Sequence, residues 1–237
     1  MRRGLAVSTT DADALIAAGL VRVRGSVADK PNRMVAAGDA VVIDGPPPRF
    51  VSRGGEKLDA ALDAFKVEVT GRRAVDVGAS TGGFTDCLLQ RGAAHVVALD
   101  VGHGQLDRRI RGDERVTVVE RTHVNEVDPA AIGAPFPLVV ADVSFISLTS
   151  VAATLFSRLA APAADVVVLV KPQFEVSKAV ASKGKGVVTD PAEWEAAVAR
   201  VQTAFAACGA TMMGTVTSPI TGASGNTEFL LHAVAGS

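Results

Sequence analysis

The sequence predicts an α/β chain: a doubly wound, mostly parallel sheet with an antiparallel last strand, preceded by a small α+β unit. Three observations carry this reading. From residue 54 onward helical and strand spacing alternate, and the strand segments are continuously apolar, as in a sheet covered on both faces. The connector Ser218-Pro-Ile-Thr-Gly-Ala-Ser-Gly-Asn226 is too short for a crossover helix, so the strands it joins run antiparallel. Pro46-Pro47-Pro48 breaks all periodicity and reads as a stiff, extended connector. The expected division is residues 1–45 as the small unit, 46–52 as linker and 53–237 as the large domain.

In chain order, residues 9–18 look like a capped helix ended at Gly19, followed by short strands at 20–24 and 40–43 with a Gly25-Ser26 turn and Pro31 between them. Gly54 to Phe65 has apolar residues at 58, 61, 62 and 65, which is helical spacing. Strands are expected at 73–77, 95–99, 116–119, 137–141 and 165–170, separated by helices near 83–91, 105–110, 147–160 and 190–207. The last of these helices opens with Asp190, Pro191 and Glu193, an N-cap, proline and acid that fix its start. Strands at 211–217 and 227–234 close the chain.

Bulk properties bound the function. A length of 237 residues with 48% hydrophobic content supports a large core plus a small unit. Runs such as Asp165-Val-Val-Val-Leu-Val-Lys171 fall far short of the roughly 20 residues that span a bilayer, and no leader pattern opens the chain, so the expectation is a cytoplasmic protein. Cys87 and Cys208 are too few for a disulfide framework or a zinc site and read as core thiols. Residues 1–57 hold nine Lys or Arg against six acids, while the rest holds 15 against 19, so a mildly basic head precedes an acidic body.

The most informative segment is Gly78-Ala-Ser-Thr-Gly-Gly-Phe-Thr85, which follows strand 73–77 and opens a helix. The first strand-to-helix turn of such a sheet lies at its carboxyl edge, where ligands bind, and glycine lets backbone approach them closely. A dinucleotide fingerprint calls for glycine at position 80; the residue is Ser80, and the hydroxyls of Ser80, Thr81 and Thr85 suit a zwitterionic amino acid tail better than a pyrophosphate. Asp100, at the end of the next strand, can accept hydrogen bonds from both ribose hydroxyls of an adenosine. NAD and S-adenosylmethionine share that moiety, so the loop alone leaves dehydrogenase and methyltransferase level.

Four separated segments, Ser52-Arg-Gly-Gly-Glu-Lys-Leu58, Asp76-Val-Gly-Ala-Ser-Thr-Gly-Gly-Phe-Thr-Asp86, Ala141-Asp-Val-Ser-Phe-Ile-Ser-Leu148 and Leu169-Val-Lys-Pro-Gln-Phe-Glu175, together resemble the TlyA family. Those proteins are described as 2′-O-methyltransferases of ribosomal cytidines, with an S4-type RNA-binding domain ahead of an FtsJ-like catalytic domain, and some have been labelled haemolysins. The resemblance covers essentially the whole chain. It implies a Rossmann-like methyltransferase sheet with S-adenosylmethionine as cofactor, ribosomal RNA of the 16S or 23S kind and ribosomal subunits as partners, no membrane and no metal. It leaves the oligomeric state open. It maps a catalytic tetrad to Lys57, Asp142, Lys171 and Glu228. With the loop reading, it places the cofactor against Asp76, Gly78, Ser80, Thr81, Gly82, Gly83, Phe84, Thr85, Asp100, Val101, Thr122 and Asp142.

A ribose hydroxyl is a weak nucleophile. Its methylation needs the oxygen aligned with the sulfonium and its proton removed or its charge stabilised, which two lysines and two carboxylates can do. A neighbouring ammonium would lower the pKa of Lys171 and Asp142 would raise it, so base and electrostatic stabiliser both stand as roles. The head resembles an S4 domain through Gly19-Leu-Val-Arg-Val-Arg-Gly25, Lys30-Pro31 and Ala40-Val-Val-Ile-Asp44, but begins inside the first helix and so reads as short. Arg2, Arg3, Arg22, Arg24 and Lys30 are its expected RNA contacts, and Arg53, at the start of the large domain, is a further one. The basic stretch Ser177–Gly186 suits a loop closing on substrate or a solvated linker equally well, and Trp194 reads as a packing residue. The competing readings are an NAD-dependent oxidoreductase and a haemolysin-like membrane-active protein.

Overall fold

The computed structural model describes residues 5, 6, 8–45 and 48–236. The first helix, α1 (Thr9–Ala17), is capped by Ser8, whose hydroxyl accepts from the Asp11 N–H at 3.0 Å. Strands β1 (Val21–Val23), β2 (Ser26–Val27) and β3 (Val41–Ile43) form a small antiparallel sheet in the order β2-β1-β3. The expected strand at 20–24 is thus shorter and folds back on a second one. Arg24 and Gly25 both take positive φ (51° and 80°), the turn geometry that matches the twist of a two-residue hairpin.

The remaining chain runs α2 (Gly54–Phe65), β4 (Arg73–Val77), α3 (Gly83–Gln90), β5 (His95–Leu99), α4 (Arg108–Arg111), β6 (Val116–Val119), β7 (Phe136–Ala141), α5 (Ala152–Thr154), β8 (Ala160–Val170), α6 (Pro172–Glu175), α7 (Lys178–Lys183), α8 (Pro191–Ala207), β9 (Thr211–Thr217) and β10 (Phe229–Val234). Seven strands pair in the order β6-β5-β4-β7-β8-β10-β9. Pairings among β4, β5, β6, β7 and β8 are parallel, while β10 runs antiparallel to both β8 and β9. The antiparallel last strand is as expected. In space it lies between β8 and β9 rather than at the edge, and this carries its first residues to the carboxyl ends of β7 and β8.

Side chains alternate across the sheet and fill a core on each face. Val139 and Ala141 join Phe136, Leu155 and Phe205 on one side, whereas Leu138 and Val140 join Leu58, Leu62, Phe84 and Leu88 on the other. Each such fully buried Leu or Phe contributes about 1.5–3 kcal/mol of transfer free energy. Cys87 is fully buried, and that burial pushes its thiol up to about 12; Cys208 is half-buried against the opposite core.

Two helical expectations are corrected. The helix near 105–110 is a single turn, started where the Asp107 carboxylate accepts from the Arg109 N–H. The helix over 147–160 is a 3₁₀ turn at Leu148–Ser150, then α5, then a π-helical turn at Leu155–Leu159. It gives way to strand at Ala160 because Pro162 lacks a donor and Ala163 sits at φ 58°. The ladder to β7 accordingly skips from Phe136↔Ala160 to Leu138↔Asp165. The short helices α6 and α7, started by Pro172 and capped by Ser177, were not anticipated.

Candidate active site

The carboxyl ends of β4, β5, β7 and β8 meet at one edge of the sheet. Gly78 leaves β4 at φ 87°, and a Cβ there would lie 2.6 Å from the Asp142 carbonyl oxygen, so only glycine lets the two strand ends touch. The Gly78 and Ala79 N–H groups donate to the Leu99 carbonyl at the end of β5 (2.8 and 3.2 Å). Ser80 takes φ 48° and donates its N–H to Asp100 Oδ2 at 2.7 Å; the other Asp100 oxygen accepts from the Gly102 N–H at 2.6 Å. A cavity of about 300 Å³ opens over this loop. Six residues expected to contact the cofactor, Gly78, Ser80, Asp100, Val101, Thr122 and Asp142, line it together with His123, Gln105 and Phe145.

Asp76 lies beneath the loop, fully buried. Its Oδ2 accepts from the Thr85 hydroxyl at 2.6 Å and its Oδ1 has no protein partner. Burial first, then the Asp142 and Asp100 charges, push its carboxyl up to about 7 against the opposing Thr85 hydrogen bond. Thr85 therefore spends its hydroxyl on Asp76 instead of facing the cavity. Phe84 is buried and Gly82, at φ 93°, packs on Leu106 and Ile110; both hold the start of α3.

A second, smaller cavity shares Gly78, Ser80, Asp142 and Ser144 with the first and is also lined by Lys57, Lys171, Thr81, Gly83 and Phe84. The four expected catalytic residues form two ion pairs. Lys57 on α2 donates to Glu228 Oε2 at 2.5 Å, and both are buried. Lys171, at the end of β8, lies 2.5 Å from Asp142 at the end of β7 and donates a hydrogen bond to Ser144 Oγ at 2.7 Å. Glu228 reaches this edge because β10 begins beside the end of β8, Phe229 pairing with Val170. Gly222 packs against it so closely that a Cβ would fall 2.4 Å from Glu228 Oε1.

Sequence reasoning missed Ser144, Gln105 and Phe145. The first two are ordinary polar loop residues, but Phe145 is 88% exposed at φ 67°, with its ring 5.3 Å from that of Phe174. An apolar residue within a motif that otherwise supplies Asp142 was the available signal. In the head, Arg22 pairs with Asp44 and Arg24 with Asp39, and Lys30 is exposed; in the large domain, Arg53 donates to the Thr221 carbonyl at 3.2 Å. Arg2 and Arg3 lie outside the described residues. Among the described residues no group of three His, Cys, Asp or Glu could hold a metal, and no helix is long and apolar enough to cross a membrane.

The model of the FtsJ-like methyltransferase family matches residues 50–234. The chain belongs to that family. Its resemblance to the TlyA group is equally direct: the "16S/23S rRNA (cytidine-2'-O)-methyltransferase TlyA" of Mycobacterium tuberculosis is 49% identical over 98% of this chain and 86% of its own length. The "Putative rRNA methyltransferase YqxC" of Bacillus subtilis is 43% identical over 98% of the chain and 82% of its own. A solved structure named "Putative hemolysin from Streptococcus thermophilus" superposes with a TM-score of 0.82 at 36% identity, covering 98% of this chain and 86% of that one. The FtsJ-like fold thus spans the seven-stranded sheet and the two cavities at its carboxyl edge, and the chain is a methyltransferase of the TlyA type.

Proposed function

We propose that this methyltransferase transfers the methyl group of S-adenosylmethionine to the 2′-hydroxyl of a cytidine ribose in ribosomal RNA, in the cytoplasm. The observation that carries the chemistry is the meeting of two lysine–carboxylate pairs, Lys57–Glu228 and Asp142–Lys171, with the glycine loop across one cavity. The acceptor class follows from what the relatives are named for.

The residues present fit the cofactor. Asp76, Asp100 and Asp142 put three carboxylates around the loop, and one buried Asp76 oxygen has no partner. That field suits a ligand carrying a sulfonium and an ammonium and opposes the pyrophosphate of NAD. Asp100 would hold the ribose hydroxyls, Gly78, Ser80 and Thr81 the amino acid tail, with Val101 and Thr122 bordering the base.

When bound, the cofactor supplies a methyl carbon activated by its sulfonium. Lys171, held by Asp142 and Ser144, would stabilise the negative charge on the ribose oxygen as its proton passes to solvent and the oxygen takes the methyl group, the broken bond's electron pair staying on the sulfur. Lys57, fixed by Glu228, lines the same cavity and orients the acceptor. Residues 1–45, carrying Arg22, Arg24 and Lys30, are read as an RNA-binding head joined by 46–52 to the catalytic domain 53–237. Arg22 and Arg24 would exchange their acidic partners for phosphate on binding.

The test is incubation with each ribosomal subunit and methyl-labelled S-adenosylmethionine, followed by mapping of the modified nucleotide. Label at a cytidine 2′-oxygen in at least one subunit is expected. Absence of label from both removes ribosomal RNA as acceptor, and calorimetry with S-adenosylhomocysteine against NAD then checks the cofactor independently.

A further inference from the structure

The segment Asp142–Leu148 after β7 and the segment Lys171–Glu175 after β8 carry opposite members of one ion pair, so their relative position decides the geometry at the cavity. Three contacts cross between them. Two are at the cavity itself: Lys171 with Asp142 and Ser144, and the Phe145 ring with the Phe174 ring. The third lies behind, away from where an acceptor would enter. Glu175, only 5% exposed, accepts from the Ser147 hydroxyl at 2.5 Å and from the Leu148 N–H at 2.8 Å. Leu148 opens the 3₁₀ turn, so its N–H has no partner within that turn, and its side chain is fully buried in the core. On the other side Arg200 of α8 donates to the Glu175 main-chain carbonyl, tying α6 to a long packed helix.

We propose that Glu175 is a positioning residue of the methyl-transfer site, locking the Asp142 segment to the Lys171 segment so that the ion pair and Phe145 keep one geometry. Glu175 stands one helical turn after Lys171, so a shift of either segment is felt at the ammonium. The carboxylate is also energetically committed. Burial raises its pKa, and the hydrogen bonds from Ser147 and Leu148 oppose that rise, so removing them leaves a buried acid without donors. Glutamine keeps the length and one acceptor oxygen for the Leu148 N–H, while its amide can donate to the Ser147 oxygen; alanine keeps neither contact.

This inference rests on the proposed reaction, and the experiment separates the two. Wild-type activity on ribosomal subunits is measured first; its absence counts against the reaction and not against Glu175. With active wild type, Glu175→Ala is expected to lower kcat at least tenfold while KM for S-adenosylmethionine changes less than threefold, and Glu175→Gln to restore most of kcat. Amide hydrogen exchange over residues 142–149 should speed up in Glu175→Ala while the β4 and β5 peptides keep their protection, a readout independent of turnover. Ser147→Ala should lower kcat partially, and the double variant should be no worse than Glu175→Ala alone. A kcat unchanged per folded molecule, additive losses from Ser147 and Glu175, or exchange that speeds up evenly across the sheet would each overturn the proposal.

Discussion

The two halves of the active site are built from different materials. The half over β4 and β5 is made of backbone: glycines at positive φ, N–H groups donated to the Leu99 carbonyl, and a serine whose N–H is held by Asp100. The half over β7, β8 and β10 is made of paired charge, the buried Lys57–Glu228 and the half-buried Asp142–Lys171, drawn from four different elements. A backbone cradle fixes a ligand shared by many enzymes and tolerates little change in shape. Paired charges taken out of water need one another, and this is how an acceptor site acquires a defined protonation pattern. Substitutions in the second half should therefore be read in turnover, with a stability loss added where a buried pair is broken, and those in the first in binding and folding.

The largest expected effect tests that separation. Lys171→Ala removes the cation facing the acceptor, and kcat should fall on the order of 10²–10³-fold, with S-adenosylhomocysteine affinity retained in calorimetry. A parallel loss of cofactor affinity would erase the distinction between the halves. Comparable in size, but read in stability, is Lys57→Ala, which leaves the buried Glu228 carboxylate unpaired. It should lower stability by about 3–5 kcal/mol in denaturant unfolding, whereas the double change Lys57→Met with Glu228→Leu should recover much of that stability without recovering methylation.

The same contrast governs how much could be read from the sequence. The cofactor half is local: strand 73–77, the glycine turn and Asp100 follow within a short stretch, and Gly78, Ser80 and Asp100 line one cavity while Thr81, Gly83 and Phe84 line the adjoining one. Thr85 is the instructive exception. Its hydroxyl was expected to face the ligand, but α3 turns it inward to the one carboxylate that needs a donor. The acceptor half is non-local. Glu228 reaches Lys57 only because β10 inserts between β8 and β9, a placement that no spacing within the sequence specifies, and the tetrad was accessible through family resemblance alone. The breakdown of helix 147–160 was equally invisible to periodicity, since its apolar positions suit a core on either backbone path. Pro162 was the available warning.

A medium effect bears on the backbone cradle. Gly78→Ala places a methyl 2.6 Å from the Asp142 carbonyl oxygen at a φ of 87° that alanine adopts at a cost. A stability loss of about 1–3 kcal/mol together with loss of S-adenosylhomocysteine binding is expected. If binding survives with stability alone reduced, the close contact of the strand ends serves folding and not the ligand.

An effect read only through its pH dependence sits on the boundary between the halves, at Asp76, which bonds to the cradle through Thr85 and faces the Asp142 charge. Its carboxyl titrates near 3.8 when free and is pushed up to about 7 in the fold, so the folded state favours the protonated form. The sign follows: this contribution to stability is complete below about pH 4 and is lost as pH rises through about 7, with a slope of at most about 1.4 kcal/mol per pH unit. Other groups titrate over the same range, and the informative quantity is the difference between wild type and Asp76→Asn in denaturant unfolding from pH 4 to 8. Relative to the variant, wild type should lose stability steadily with rising pH. A flat difference would mean that Asp76 is already ionised, and the negative field that suits a cationic ligand would then be present before the ligand arrives. A falling difference means that a cationic ligand must draw the proton off Asp76. Titration of S-adenosylmethionine at pH 6 in buffers of different ionisation enthalpy should then register proton release in wild type and none in Asp76→Asn.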